Sequence, residues 1–100
     1  MKFNTKVIHG GQHHDPSTGA VMPPVYQTST FVQTSPGQPL NPDYEYSRAA
    51  NPTRSALENA LASIENGTRG LAFSSGLAAT DCILRSFKAG DEIIAMDDLY

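Results

Sequence analysis

Residues 71–80 read LAFSSGLAAT. Leu71, Ala72 and Phe73 fit a short buried strand, Ser74, Ser75 and Gly76 make a turn, and Ala79, Cys82, Ile83, Ser86 and Phe87 return to helical spacing. Gly90 closes that helix, and Glu92 to Met96, rich in isoleucine, is a second strand candidate. Upstream, Asn51 can cap a helix with Pro52 at its first position. Leu57, Ala60, Leu61 and Ile64 share one face of it, and Asn66 and Gly67 stop it. The order helix, strand, helix, strand predicts an α/β fold.

The first half is built differently. All seven prolines lie at or before Pro52. Proline fixes φ and lacks a donor, so residues 1–50 are expected to form an extended arm with turns. Roughly fifty residues with little regular structure need a surface to order them, and the arm is expected to lie on a neighbouring subunit. Residues 51–100 then begin an α/β domain. Two short helices and two short strands cannot cover both faces of a sheet, so the chain is expected to be the front of something longer.

Composition narrows the function classes. The longest unbroken apolar stretch is Ile93–Met96, and the start MKFNTKVIHG lacks an apolar run of roughly 7–15 residues, so no membrane span or secretion signal is expected. Seven basic against ten acidic residues give a net charge of −3, with no Lys or Arg run to neutralise a nucleic acid backbone. The single cysteine, Cys82, lies in an apolar stretch, reads as a buried inert thiol, and points to the cytoplasm.

Two places carry chemistry. A helix starting at the FSSGL turn presents unpaired N–H groups and the positive end of its dipole. Gly76 lets an anion approach the backbone, and Ser74 or Ser75 adds a hydroxyl. No Walker or GxGxxG pattern is present, and locally the same residues also serve as a plain helix cap. In YEYSRAANPTR, Arg48 offers a planar fork suited to a phosphate, and Tyr46 adds a hydroxyl on the same face of an extended segment. A surface arginine beside a half-buried tyrosine is the plainer alternative there.

Taken together, IHGGQHHDPSTGAVMPPVYQTSTF, YEYSRAANPTRSALE, LAFSSGLAAT and KAGDEIIAMDDLY resemble, in order and spacing, the start of the cystathionine γ-synthase and γ-lyase family. These are pyridoxal 5'-phosphate (PLP) enzymes of cysteine and methionine metabolism with an aspartate aminotransferase-like fold. The resemblance implies that Tyr46 and Arg48 reach the cofactor phosphate of a neighbouring subunit. It also implies that Ser75, Gly76 and Leu77 bind the same phosphate group from their own subunit. Tyr100, matching the tyrosine of the family's DDLYGGT block, would stack on the pyridine ring and act near the substrate. Arg54 has no catalytic counterpart and is expected at the surface or a helix end.

The family's cofactor-bonding lysine lies further along the family's sequence than any residue here. Lys2 and Lys6 belong to the arm, and Lys88 sits in the last turn of a helix. The resemblance therefore implies the amino-terminal part of a homotetrameric, cytoplasmic enzyme with shared active sites and a small sulfur amino acid substrate. Cystathionine γ-lyase is the leading expectation. Cystathionine γ-synthase, methionine γ-lyase and a homocysteine-forming sulfhydrylase are alternatives, and a non-catalytic phosphate-binding or interface module is the alternative of another class. His9, His13 and His14 would need a helix to share a face, which Gly10, Gly11 and Pro16 oppose, so no metal site is expected. Asp97 and Asp98 are expected to fix the loop that carries Tyr100.

Overall fold

The computed structural model describes residues 1–100. Three helices and one small hairpin form the regular structure: α1 (Phe3–His9), β1 (Gln33–Ser35), β2 (Gln38–Pro39), α2 (Pro52–Glu65) and α3 (Gly76–Leu84). The arm thus contains one helix that the proline argument did not anticipate. Phe3–His9 precedes the first proline and ends where Gly10 and Gly11 begin, so nothing local forbids it.

Local sequence accounts for α2 at both ends. The Asn51 side chain accepts from Thr53 N–H at 2.9 Å, Pro52 occupies the first turn, and Asn66 takes the left-handed conformation (φ 53°) that ends the helix. Ser75 caps α3 in the same way. This helix stops at Leu84, short of the expected Phe87. Ser86 and Phe87 shift to bonds three residues back, and Ser86 Oγ donates to the Ile83 carbonyl at 2.6 Å. Lys88 therefore lies beyond the helix.

The packing face of α2 differs from its apolar face. Gly10 and Gly11 lie against Asn59, Ala60 and Ser63; a Cβ on Gly10 would come 2.6 Å from Ser63 Oγ, and one on Gly11 would overlap the Asn59 carbonyl. Lys6 Nζ adds a 2.6 Å bond to Asn66 Oδ1. Two glycines bring the backbones close where α2 carries small and polar residues. Leu57 and Leu61, on the apolar face, remain about half exposed, at 52% and 44%.

Further along, Tyr26 N–H donates to Thr53 Oγ1 at 2.8 Å. The Asn51 side chain donates to the Tyr26 carbonyl at 3.2 Å and to Ser47 Oγ at 2.9 Å. The arm is thereby fastened to the start of α2. Its hairpin turns at Gly37 (φ 75°), and Phe31 lies 5.8 Å from Tyr44, ring centre to ring centre.

No ladder forms over residues 71–73 or 92–96, where strands were expected. A strand is defined by its neighbours, and Ala72 N–H goes instead to the Glu58 carboxylate. The hundred residues enclose no apolar core: only Gly10 and Asp15 are buried, and the radius of gyration is 17.4 Å. A closed domain of this length has a radius of about 13 Å. Cys82, expected to be buried, is exposed because nothing packs on α3. No helix is long and apolar enough to cross a membrane.

Candidate functional site

The start of α3 offers two free donors. Ser75 Oγ accepts from Ala78 N–H at 3.1 Å, and the Ser75 carbonyl accepts from Ala79 N–H at 3.2 Å. The N–H groups of Gly76 and Leu77 have no acceptor in the chain. No acidic side chain stands in this first turn, and Ser74 and Ser75 are exposed. Gly76 lies outside the left-handed region, and no atom comes within 4 Å of where its Cβ would be. Neither conformation nor packing within the chain demands glycine there. N–H groups without acceptors at a helix start, beside an uncrowded glycine, are what an anion site uses.

The Tyr46–Arg48 segment is held by the arm. Tyr46 pairs with Thr30 in an antiparallel bridge, flanked by bonds from Phe31 N–H to the Glu45 carbonyl (3.1 Å) and from Ser47 N–H to the Ser29 carbonyl (2.9 Å). Ser47 Oγ donates to the Thr28 carbonyl. The chain then turns, with Ala49 and Ala50 N–H both donating to the Tyr46 carbonyl at 2.9 Å. The Arg48 guanidinium lies over the Tyr46 ring, 4.2 Å from its centroid. No carboxylate pairs with Arg48, so its fork is available to an external anion.

Arg54 lies at a helix end, in the first turn of α2, and its side chain is bonded rather than free. Nη1 donates to the Ser47 carbonyl at 2.9 Å, and Nη2 reaches the Ala49 carbonyl at 2.7 Å and that of Arg48 at 3.5 Å. Nε lies 3.6 Å from Glu58 Oε1, which accepts from Ala72 N–H at 2.9 Å. These two residues join the Tyr46–Arg48 turn to the segment leading into Ser75. The signal in the sequence was their i, i+4 spacing on a helix that starts just after the YSR triplet.

The remaining candidates are not gathered here. Tyr100 is fully exposed, and neither Asp97 nor Asp98 makes the side-chain bonds expected to fix its loop. His9 ends α1, while His13 and His14 lie beyond the two glycines. Asp15 closes its own turn, accepting from Ser17 Oγ at 2.6 Å, Thr18 Oγ1 at 2.5 Å and Thr18 N–H at 3.1 Å. The Ser17 and Thr18 hydroxyls hold its pKa down from 3.8 to about 2. An open groove of about 700 Å³ between arm and α2, lined by His14, Tyr26, Phe31, Tyr44 and Asn59 among others, lacks both Arg48 and Gly76.

The chain thus presents a serine-glycine helix start with two N–H groups lacking acceptors, and an arginine stacked on tyrosine with no carboxylate partner. Residues 4–100 match the Cys/Met metabolism PLP-dependent enzyme family, and the chain belongs to that family. It is 57% identical over 98 residues to cystathionine β-lyase of Lactococcus lactis subsp. cremoris strain MG1363, covering 98% of this chain and 25% of the relative. Cystathionine γ-synthase of Mycobacterium tuberculosis is 50% identical over 97 residues, covering 96% of this chain and 25% of that protein. The crystal structure of cystathionine γ-lyase from Lactobacillus plantarum complexed with L-serine superposes with a TM-score of 0.78 at 50% identity, over 91% of this chain and 23% of that one.

The fold is the aspartate aminotransferase-like fold of PLP-dependent enzymes, represented by its amino-terminal part. The chain spans about a quarter of the length of the curated relatives it matches. Members of the family depend on PLP, and the relatives carry the names of a β-lyase, a γ-lyase and a γ-synthase.

Proposed function

We propose that this chain is the phosphate-anchoring part of a PLP-dependent enzyme that cleaves or exchanges a carbon–sulfur bond in a small sulfur amino acid. The observation that carries the reading is the pair of N–H groups at Gly76 and Leu77, which have no acceptor in the chain and stand at the start of α3, where nothing crowds Gly76. When bound, PLP supplies the electron sink that stabilises negative charge at the amino acid α carbon. Gly76 and Leu77 N–H and the Ser75 hydroxyl would hold the phosphate, with the α3 dipole adding positive potential. Arg48 and Tyr46 would bind the phosphate of a neighbouring subunit, with the arm reaching across as part of a homotetramer of dimers. Tyr100 would hold its aromatic ring toward the cofactor and help exclude water there.

The exposed apolar side chains, Leu57 and Leu61 on α2 and Ile83 on α3, suit burial against further protein rather than water. The cofactor-bonding lysine and the arginine for the substrate carboxylate come from outside these hundred residues. A reducing cytoplasm suits the lone thiol.

Cystathionine γ-lyase, releasing cysteine, 2-oxobutanoate and ammonia, is the favoured activity. The 57% identity to a protein named cystathionine β-lyase favours β-cleavage to pyruvate as the second reading. The complete protein, reduced with borohydride and weighed intact, should carry one PLP adduct. Its absence would leave the non-catalytic module. With cystathionine supplied, the 2-oxo acid formed distinguishes the two cleavages: 2-oxobutanoate supports the first, pyruvate the second.

A further inference from the structure

We infer that Arg54 and Glu58 are positioning residues that tie the two phosphate-binding elements together, so that cofactor affinity depends on side chains that touch no cofactor. The inference rests on the phosphate reading above.

The geometry is specific. The Arg54 guanidinium bonds the carbonyls of Ser47 at 2.9 Å and Ala49 at 2.7 Å and reaches that of Arg48 at 3.5 Å, so it holds the two peptide units that flank the Arg48 Cα and the one after them. Fixing those units fixes the direction in which the Arg48 side chain leaves the backbone. A planar fork can hold diverging carbonyls at once, and a lysine ammonium has no such fixed geometry. The third nitrogen, Nε, faces Glu58, and the same Glu58 oxygen accepts Ala72 N–H at 2.9 Å. Ala72 lies three residues before the Ser75 cap. Gly70 completes the contact, because a Cβ there would overlap the Glu58 carbonyl. The arginine is one-third exposed and the glutamate one-fifth, which leaves the pair partly shielded from water. An ordinary surface i, i+4 pair such as Arg85–Asp81 has no third or fourth partner of this kind.

The test uses the complete protein and measures dissociation constants for PLP and for pyridoxal, which lacks the phosphate. Thermal unfolding is followed alongside. Arg54→Lys should weaken PLP binding about tenfold, the loss expected when charge-assisted bonds to backbone are broken, and leave pyridoxal binding within about twofold. Glu58→Gln, which keeps an acceptor for Ala72 N–H but loses the charge, should weaken PLP binding by about threefold. In an Arg48→Ala background the Arg54→Lys effect should disappear, since the two act through one another. Equal losses for PLP and pyridoxal, or an Arg54→Lys effect that adds in full to Arg48→Ala, would overturn the inference. A wild-type protein that binds PLP no better than pyridoxal would instead remove the phosphate reading, and this inference with it. If Arg54→Lys does not fold, Glu58→Gln, which leaves the arginine in place, carries the comparison.

Discussion

The Arg48 guanidinium carbon lies 4.2 Å from the centroid of the Tyr46 ring. The stack places a cation and a phenol side by side with no carboxylate to neutralise the cation. Arg48→Ala should therefore weaken PLP binding by about 10- to 100-fold, corresponding to charged hydrogen bonds of about 1.5–3 kcal/mol. Tyr46→Leu, which removes ring and hydroxyl but leaves the arginine, should cost only a few-fold, in line with about 0.5–1 kcal/mol for an exposed cation–π contact. Fluorescence titration of the cofactor into the complete protein measures both. Equal affinity in wild type and Arg48→Ala would exclude Arg48 from the phosphate site.

Gly76→Ala separates a ligand's requirement from the chain's own. Alanine fits the space and is the better helix former, so the cofactor-free protein should be unchanged or more stable by up to about 1 kcal/mol. PLP affinity should fall by about tenfold or more, the outcome expected if a side chain at position 76 crowds an anion bound at the helix start. Urea unfolding and cofactor titration on the same variant check the two halves. Full cofactor affinity would mean that the space serves some other contact.

Asn51 holds three elements with one amide: it caps α2 through Thr53 N–H and donates to the Tyr26 carbonyl and Ser47 Oγ. Asn51→Ala should destabilise the folded protein by about 2–3 kcal/mol, a lost cap plus two lost bonds. Asn51→Asp keeps the cap acceptor and loses the donors, so its cost should fall near half of that. Chemical denaturation of the two variants gives the ordering, and equal costs would show that the donated bonds matter and the cap does not.

Asp15 supplies a pH dependence of known sign. Its pKa is held down from 3.8 to about 2, first by the Ser17 hydroxyl and then by that of Thr18. A depressed carboxylate stabilises the folded state fully above its ordinary pKa, and the stabilisation is lost as pH falls toward the folded value. The turn at residues 15–18 should therefore loosen between about pH 4 and pH 2. Carbon-13 titration of the Asp15 carboxylate should give a midpoint near the lower figure in wild type. With Ser17→Ala and Thr18→Ala combined, the midpoint should return toward the ordinary value.

Much of the helical structure was legible because its determinants are local. Asn51, Pro52 and Asn66 bound α2, and Ser75 opens α3, each through bonds reaching no more than a few residues along the chain. The phosphate candidates were legible through the same local logic, helped by the family resemblance. The strands over 71–73 and 92–96 were not, because a ladder is a property of neighbours and these residues have none beside them. α1 was hidden by the proline count of the whole arm, although no proline lies within it.

Sequence alone determined where α2 and α3 begin, that a helix starting at the FSSGL turn would offer unpaired N–H groups, and, through the order of its motifs, which family the chain belongs to, since these follow from residue types along the chain. Tertiary structure decided that α2 turns its small polar face to the arm, because Gly10 and Gly11 allow that close approach. It also decided that Arg54 reaches back to the carbonyls around Arg48 while Glu58 reaches forward to Ala72. Which backbone groups come within 3 Å of a long side chain depends on how the segments fold back on α2, and no local spacing states that.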